Sequence, residues 1–137
     1  MALASNKKAI VYRFDRESLV GFVDSTALIT AAGMQFLTPE GVLQTVPSNQ
    51  VKAISLTRDW SETRPWTKTS YTGRPRLQGL WVRMKFRDGE VVEATMPNNL
   101  LSLEGECFSI MPPDPPTGMQ RLYIPRMALT DFEVLGV

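Results

Sequence analysis

The chain of 137 residues contains no histidine and a single cysteine, Cys107. Histidine is the usual general base and the commonest transition-metal ligand, so its absence removes the main resources of enzyme chemistry. A lone cysteine cannot form an intramolecular disulfide, which is typical of a reducing compartment. We therefore predict a cytoplasmic protein that is not an enzyme and that holds no metal ion and no cofactor.

The chain also lacks a large excess of charge of one sign and any long hydrophobic run. The formal net charge is only +1, so no field around the whole molecule draws it to nucleic acid or to a membrane. No apolar run is long enough for a secretory signal or a membrane span, and no membrane partner is predicted. Hydrophobic residues make up 43% of the chain and charged residues 21%, which is typical of a folded globular protein.

The sequence does contain a strand pattern that occurs twice. KAIVYRFDRESLVGFVDS (8–25) and WVRMKFRDGEVVEATMPN (81–98) each read as an alternating strand, a polar turn and a second strand. Placing Phe14 on Phe86 aligns these two windows at an offset of 72 residues. The turn in the second window contains Asp88-Gly89, a strong hairpin signal because glycine readily adopts positive φ.

The correspondence continues beyond the two hairpins. With the same offset Phe36 falls on Phe108, and with an offset of 78 Val46-Pro47 falls on Ile124-Pro125. In both halves the proline begins a short segment that suits a single 3-10 turn, and a closing strand follows. This order of elements predicts an internal structural duplication.

Each half therefore contains five short strands, and the fold class is all-β. The predicted strands lie at 8–14, 18–24, 33–38, 42–47 and 51–57, and again at 80–87, 90–97, 106–111, 120–125 and 129–135. Short strands with a tight turn before the last one favour a small, strongly bent barrel. We predict a first barrel over 1–56, a linker over 57–79 that packs between the repeats, and a second barrel over 80–137.

This strand order resembles the SH3-like and Sm-like small barrels. The resemblance implies two tandem five-stranded barrels packed through an extended linker, without the opening helix and RNA-contacting residues of Sm-like domains. The chain also resembles a group of uncharacterised bacterial domains, through WVRMKFRDGE (81–90), FSIMPPDP (108–115) and IPRMALTDFEV (124–134). That second resemblance implies the fold and no particular function.

A weaker likeness to a nucleotide-binding motif does not extend to the residues that would bind the nucleotide. ITAAGMQF (29–36) is similar to the second motif of PilZ domains, which bind cyclic dinucleotides, only at Thr30 and Gly33. The spaced arginine pair that would hold the phosphates is missing, so no nucleotide is predicted to bind. The proline-rich stretch 111–116 is predicted to be a stiff loop.

The segment 58–76, RDWSETRPWTKTSYTGRPR, alternates basic and aromatic residues. Over 57–79 five basic residues outnumber two acidic ones, a local charge of +3. One interpretation is a groove for single-stranded nucleic acid, in which phosphates meet the cations and bases stack on the rings. The other, which we favour, is a seam in which the tryptophans fill the space between the repeats. The residues concerned are Arg58, Trp60, Arg64, Trp66, Lys68, Tyr71, Arg74 and Arg76.

Two functions follow from these observations. The first is a non-catalytic tandem β-barrel module for protein-protein interaction or assembly, because small barrels expose strand edges that pair between subunits. A protein partner and a homo-oligomer are expected, without a stated partner identity. The alternative is RNA or single-stranded DNA binding through the segment 58–76.

Overall fold

A computed structural model of the chain describes residues 6–75, 79–98 and 105–137. These ranges contain ten β-strands and two one-turn 3-10 helices, and the predicted all-β class is confirmed. The strands are β1 (Asn6–Arg13), β2 (Ser18–Asp24), β3 (Met34–Leu37), β4 (Leu43–Val46), β5 (Val51–Thr57), β6 (Leu80–Phe86), β7 (Val91–Met96), β8 (Cys107–Ile110), β9 (Met119–Pro125) and β10 (Leu129–Gly136). A search of the described residues for a helix long and apolar enough to span a bilayer finds none.

All ten predicted strands are present with small differences at their ends. β1 stops at Arg13 because the N–H of that residue donates to the carbonyl of Glu17 at 3.0 Å and starts the turn, which leaves Phe14 outside the strand. The 3-10 helices Ser48–Gln50 and Arg126–Ala128 follow Pro47 and Pro125, as predicted.

The strands form two antiparallel sheets. The larger sheet has seven strands in the order β4-β3-β2-β1-β5-β9-β8, and the smaller has the order β10-β6-β7. β5 and β9 come from opposite sides of the segment 57–79, so the larger sheet extends across the predicted boundary between the halves.

The described strands do not form two closed barrels. Neither sheet closes on itself within the described ranges, because β5 takes β9 as its second neighbour. The sheets do meet at one isolated bridge, where Thr95 and Met111 exchange two backbone hydrogen bonds of 3.0 and 2.8 Å. Neighbouring strands can thus be followed from β4 through β8, across this bridge to β7, and on to β10.

The hydrophobic residues form two clusters, one on each face of the larger sheet. β1 shows how: its alternate side chains point to opposite faces, so Ile10 joins one cluster and Val11 the other. The first cluster includes Met84 and Phe86 of the smaller sheet, and it therefore fills the space between the two sheets. β1 and β5 are buried from both sides.

The turn between β6 and β7 follows the sequence prediction. Gly89 has a φ of 93°. A side chain is strained at this φ, whereas glycine adopts it freely, which is why Asp88-Gly89 makes a tight hairpin. The N–H of Phe86 donates to the carbonyl of Glu90 at 2.8 Å and closes the turn.

Replacing Gly21 by alanine is expected to destabilise the protein by about 2 kcal/mol, because overpacking in a core has costs of this size. A Cβ on Gly21 would lie 2.3 Å from the carbonyl oxygen of Leu37 and 2.5 Å from the ring of Phe36. Urea unfolding followed by circular dichroism measures the effect. Gly73→Ala is the matched control, since nothing lies within 4 Å of the added atom. Equal stability of the two variants would contradict this packing.

Candidate functional site

Trp66 is the most deeply buried residue in the described part of the basic and aromatic segment. Its side chain is only 6% exposed and belongs to the cluster between the sheets. Its ring lies 5.4 Å from that of Phe86, between centroids, and its indole N–H donates to Oε2 of Glu90 at 3.1 Å. Trp66 is therefore anchored on the β6–β7 hairpin.

Trp60 is anchored on the other side, at β2. Its indole N–H donates to the carbonyl of Gly21 at 3.2 Å, and its ring packs edge-on against Phe22 with the centroids 5.4 Å apart. The ammonium group of Lys8 lies 5.1 Å from the ring centroid. The two tryptophans thus fasten the segment to both halves of the chain.

Tyr71 is half-buried and contacts the smaller sheet. Its hydroxyl donates to the carbonyl of Met111 at 3.4 Å, and its backbone N–H donates to Oε1 of Glu93 at 3.3 Å. Burial raises the pKa of the phenol, and the negative charge of Glu93 adds to this effect, while a hydrogen bond with Thr95 opposes it. The ring is held beside β7.

A buried tyrosine of β1 contacts the same segment. The hydroxyl of Tyr12 donates to Oε1 of Glu62 at 2.9 Å. Burial raises the pKa of Tyr12 far above its ordinary value, and the charge and the hydrogen bond of Glu62 raise it further. The phenol therefore stays protonated and acts as a donor.

Lys52 of β5 is the centre of a contact that the sequence analysis missed. Its ammonium group lies 2.7 Å from Oδ2 of Asp88 and 2.6 Å from Oε1 of Glu90, with its side chain 14% exposed. The same ammonium lies 5.0 Å from the ring centroid of Phe86 and 5.7 Å from that of Trp66. Because Glu90 accepts from both Lys52 and Trp66, one carboxylate joins β5, the segment and the β6–β7 turn. Only the Asp-Gly-Glu turn was visible in the sequence; its cationic partner lies 36 residues earlier in the chain.

The described basic residues of the segment do not form one strip. Arg64 and Lys68 are exposed, and Arg64 lines an open cleft of about 980 Å³ beside Lys52. Arg74 donates to the carbonyl of Val137 at the end of the chain. Arg58 lines a different groove, and Arg76 lies outside the described residues.

The cleft beside Lys52 carries charges of both signs. Its lining includes Arg13, Arg16, Lys52 and Arg64 together with Glu17, Asp88 and Glu90. Arg13 pairs with Glu17 at 3.2 Å, and Lys52 pairs with both carboxylates of the hairpin turn. These charges largely neutralise each other, and the cleft offers little attraction to a polyanion.

The groove of Arg58 has a different character. Its volume is about 570 Å³ and its lining includes Lys7 and Arg121 from β1 and β9, together with the partly buried Tyr123. Among the described residues that line it there is no carboxylate. Arg58 was singled out from the sequence and its two cationic neighbours were not, because Lys7 and Arg121 are distant from it in the chain and only the fold brings them to the same groove.

The described residues offer few metal ligands and nucleophiles. Within 6–75, 79–98 and 105–137 no group of three or more Cys, Asp or Glu residues could hold a metal ion. Burial raises the pKa of the Cys107 thiol to about 12, and the charge of Glu106 contributes to this shift. A thiol held in its protonated form is a poor nucleophile.

The fold and these contacts define a small all-β protein in which a basic and aromatic segment holds two sheets together. The chain belongs to a family of unknown function (DUF6982), whose model matches residues 5–136. No curated protein and no solved structure matches the chain. The family membership agrees with the resemblance to uncharacterised domains and assigns no activity.

Replacing Trp66 by alanine is expected to lower the free energy of unfolding by about 4 kcal/mol, because the change leaves a large cavity between the sheets. Urea unfolding measures this loss. The exposed Lys68→Ala, two residues further along, is the control and should change stability by less than about 0.5 kcal/mol. Full stability of Trp66→Ala together with weakened binding of single-stranded nucleic acid would reverse our assignment of this ring.

Asp88→Asn is expected to change how stability depends on pH. Burial raises the pKa of Asp88, but its hydrogen bonds with Lys52 and with backbone N–H groups, together with the charge of Lys52, lower it overall below the ordinary 3.8. A carboxyl with a lowered pKa stabilises the fold above pH 3.8, and this contribution is lost as the pH falls through the lower folded-state value.

Urea midpoints of wild type and Asp88→Asn should therefore differ at neutral pH and converge in acid. The Lys52→Met background supplies the control, since Asp88→Asn should have less effect when its cationic partner is absent. A difference that is the same at every pH would argue against this ion pair.

Proposed function

We propose that this protein is a non-catalytic tandem module of two small SH3-like repeats, open rather than closed as barrels, that acts through protein-protein interaction or assembly, in the cytoplasm. The observation that carries the proposal is a pair of strand edges without a neighbour. β4 has only β3 beside it and β10 has only β6 beside it among the described strands. Unpaired edge strands present rows of backbone donors and acceptors that readily accept another strand.

The side chains at these two edges support the proposal. Val42 and Leu43 at β4 are 55% and 67% exposed, and Val134 and Val137 at β10 are 46% and 77% exposed. They are four of the seven large hydrophobic residues that are exposed in the described ranges. Apolar side chains that collect at unpaired edges favour a protein partner over water.

The turns support the duplication. In the first half, Arg13 N–H donates to Glu17 at 3.0 Å around Arg16, which has a φ of 70°. In the second half, Phe86 N–H donates to Glu90 at 2.8 Å around Gly89. These bonds correspond at an offset of 73 residues (86 minus 13), one more than the alignment of Phe14 with Phe86.

The closing strands agree with the predicted offset of 78. Ile54 of β5 pairs with Val11 of β1, and Phe132 of β10 pairs with Met84 of β6. The positions of the two closing strands differ by 132 minus 54, or 78, while those of their partners differ by 84 minus 11, or 73. The offset of 78 is the one between Pro47 and Pro125, and the offset of 73 is the one between the two turns. This agreement favours one architecture used twice.

The neighbour order supports the same conclusion. The first half has the order β4-β3-β2-β1-β5. The second half has β9-β8, the bridge from Met111 to Thr95, and then β7-β6-β10. Five strands in the same order in each half favour two SH3-like repeats that share a sheet through β5 and β9.

The aromatic residues favour the seam over nucleic-acid binding. Trp66 is buried, and the indole N–H groups of Trp60 and Trp66 already donate to protein acceptors. A base-stacking platform needs an exposed ring face. The rings of the segment therefore serve the contact between the halves.

Nucleic-acid binding remains a second candidate because of the groove that contains Arg58. Lys7, Arg58 and Arg121 are exposed cations around one open groove, and Tyr123 lines it as well. A labelled single-stranded oligonucleotide tests this candidate by fluorescence anisotropy. Binding that weakens steeply with salt and is lost in Arg58→Ala would support it, and no binding at low salt would exclude it.

The leading proposal predicts that proteins are retained through the two edges. Wild type and a Leu43→Lys, Val134→Lys double variant, each immobilised, are exposed to extract from the source cell, and retained proteins are quantified by mass spectrometry. Wild type is expected to retain at least one protein, either its own kind or another, that the variant does not. Both substitutions fall on exposed side chains, so the fold should persist. The same retained proteins on both surfaces would refute an edge-dependent interaction.

A further inference from the structure

The joint between β5 and β9 provides a template for the two unpaired edges, provided that the chain is built from two repeats as proposed above. β5 is the closing strand of the first half, and β9 is the fourth strand of the second. They pair antiparallel, with Ile54 opposite Tyr123, Ser55 opposite Leu122 and Leu56 opposite Arg121. The closing strand of the second half is β10 and the fourth strand of the first is β4. The same two kinds of strand are therefore the ones left unpaired.

Strands that are equivalent in the two repeats differ in burial, as expected if β10 and β4 each lack the neighbouring strand that β5 and β9 have in each other. Leu56 of β5 is 5% exposed, whereas Val134, its equivalent in β10, is 46% exposed. β9 has buried residues at Leu122, Ile124 and Pro125, whereas β4 is exposed at all positions except Val46. A second strand beside each edge would remove this difference.

Applying the offset of 78 to both strands of the template gives a definite register. Ile54 opposite Tyr123 becomes Phe132 opposite Thr45, and Leu56 opposite Arg121 becomes Val134 opposite Leu43. Two exposed apolar side chains, one from each edge, thus become direct cross-strand neighbours. Between them the carboxamide of Gln44 would lie opposite the carboxylate of Glu133, to which it can donate.

The backbone of β4 is oriented for this pairing. The N–H of Thr38 donates to the carbonyl of Val42 at 2.9 Å, and the N–H of Val42 donates to Oγ1 of Thr38 at 3.0 Å, so the backbones of these two residues face each other at the start of the β3–β4 ladder. Such pairs alternate along an antiparallel ladder, so the N–H groups of Leu43 and Thr45 point away from β3. In β9 the N–H of Arg126 donates to the carbonyl of Glu106 at 2.8 Å, so by the same alternation the N–H groups of Arg121 and Tyr123, the equivalents by the offset of 78, point away from β8 and towards β5.

We infer that a second copy of this chain occupies these edges: β4 of one copy adds antiparallel to β10 of the next and repeats the joint between β5 and β9. Two copies satisfy the contact as a closed dimer when each offers β4 to the other's β10, and otherwise the contact is head-to-tail. Repetition of such a contact closes into a ring when the rotation allows and otherwise extends into a filament. The inference rests on the proposed function and adds the partner and the register.

The test uses the purified full chain alone, in analytical ultracentrifugation at about 50 µM, since self-association depends on concentration. Wild type is expected to sediment as a multiple of the 15.4 kDa chain. Leu43→Lys combined with Val134→Lys places like charges opposite each other and should weaken association about tenfold or more. Leu43→Glu combined with Val134→Lys places opposite charges there and should restore it.

Two further samples make the register specific. A mixture of the single variants Leu43→Glu and Val134→Lys should associate more strongly than either alone, because each contact is then either the native pair or a Glu-Lys pair. Val20→Lys is the control at an exposed apolar site inside the larger sheet, where Val20 is 39% exposed, and it should associate like wild type. Circular dichroism confirms that every variant folds.

Other outcomes overturn the inference. A strict monomer at this concentration refutes it, and so does association that the Lys-Lys variant leaves unchanged or that the Glu-Lys variant does not restore. If the monomer nevertheless retains a different protein through the same edges in the capture experiment, the proposed function stands and only the self-pairing is wrong. Loss of both results refutes the two together.

Discussion

The pairing of β5 with β9 is the contact on which the rest of the structure depends. It places a strand from each side of the segment 57–79 in one sheet, and the two hydrophobic clusters bury the faces of β5. The smaller sheet then covers the inner face of the larger one, and Trp66 and Lys52 occupy the margin where the two sheets and the segment meet. Without this joint, each half would be a very small domain with little core of its own.

The charged contact at Lys52 illustrates how a segment can look like a binding strip and serve a different purpose. Basic and aromatic residues are the ingredients of a nucleic-acid surface, but they also suit a seam, where indole N–H groups need acceptors. Glu90 is that acceptor for Trp66, and it simultaneously neutralises the partly buried ammonium of Lys52. What distinguishes the two uses is whether the ring faces remain open, and at Trp66 they are buried.

Strand positions were predictable because they depend on local patterns. Alternation of apolar side chains, the Asp88-Gly89 turn and the prolines before the 3-10 turns each act within a few residues. The turn of the first hairpin was harder to predict, because Arg16 adopts a positive φ that is uncommon outside glycine. No local pattern signals that conformation, and the predicted first strand therefore included Phe14, which lies outside β1.

The amino-acid sequence by itself determined the all-β class, the ten strands, the turns between them and the importance of the segment that joins the halves. Only the tertiary structure decided that β5 pairs with β9, that Lys52 meets Asp88 and Glu90, and that Arg58 lies beside Lys7 and Arg121. The physical reason is the separation along the chain of the residues that interact. Local propensity is set by neighbouring residues, whereas strand pairing and ion pairing depend on which distant surfaces bury the most apolar area together.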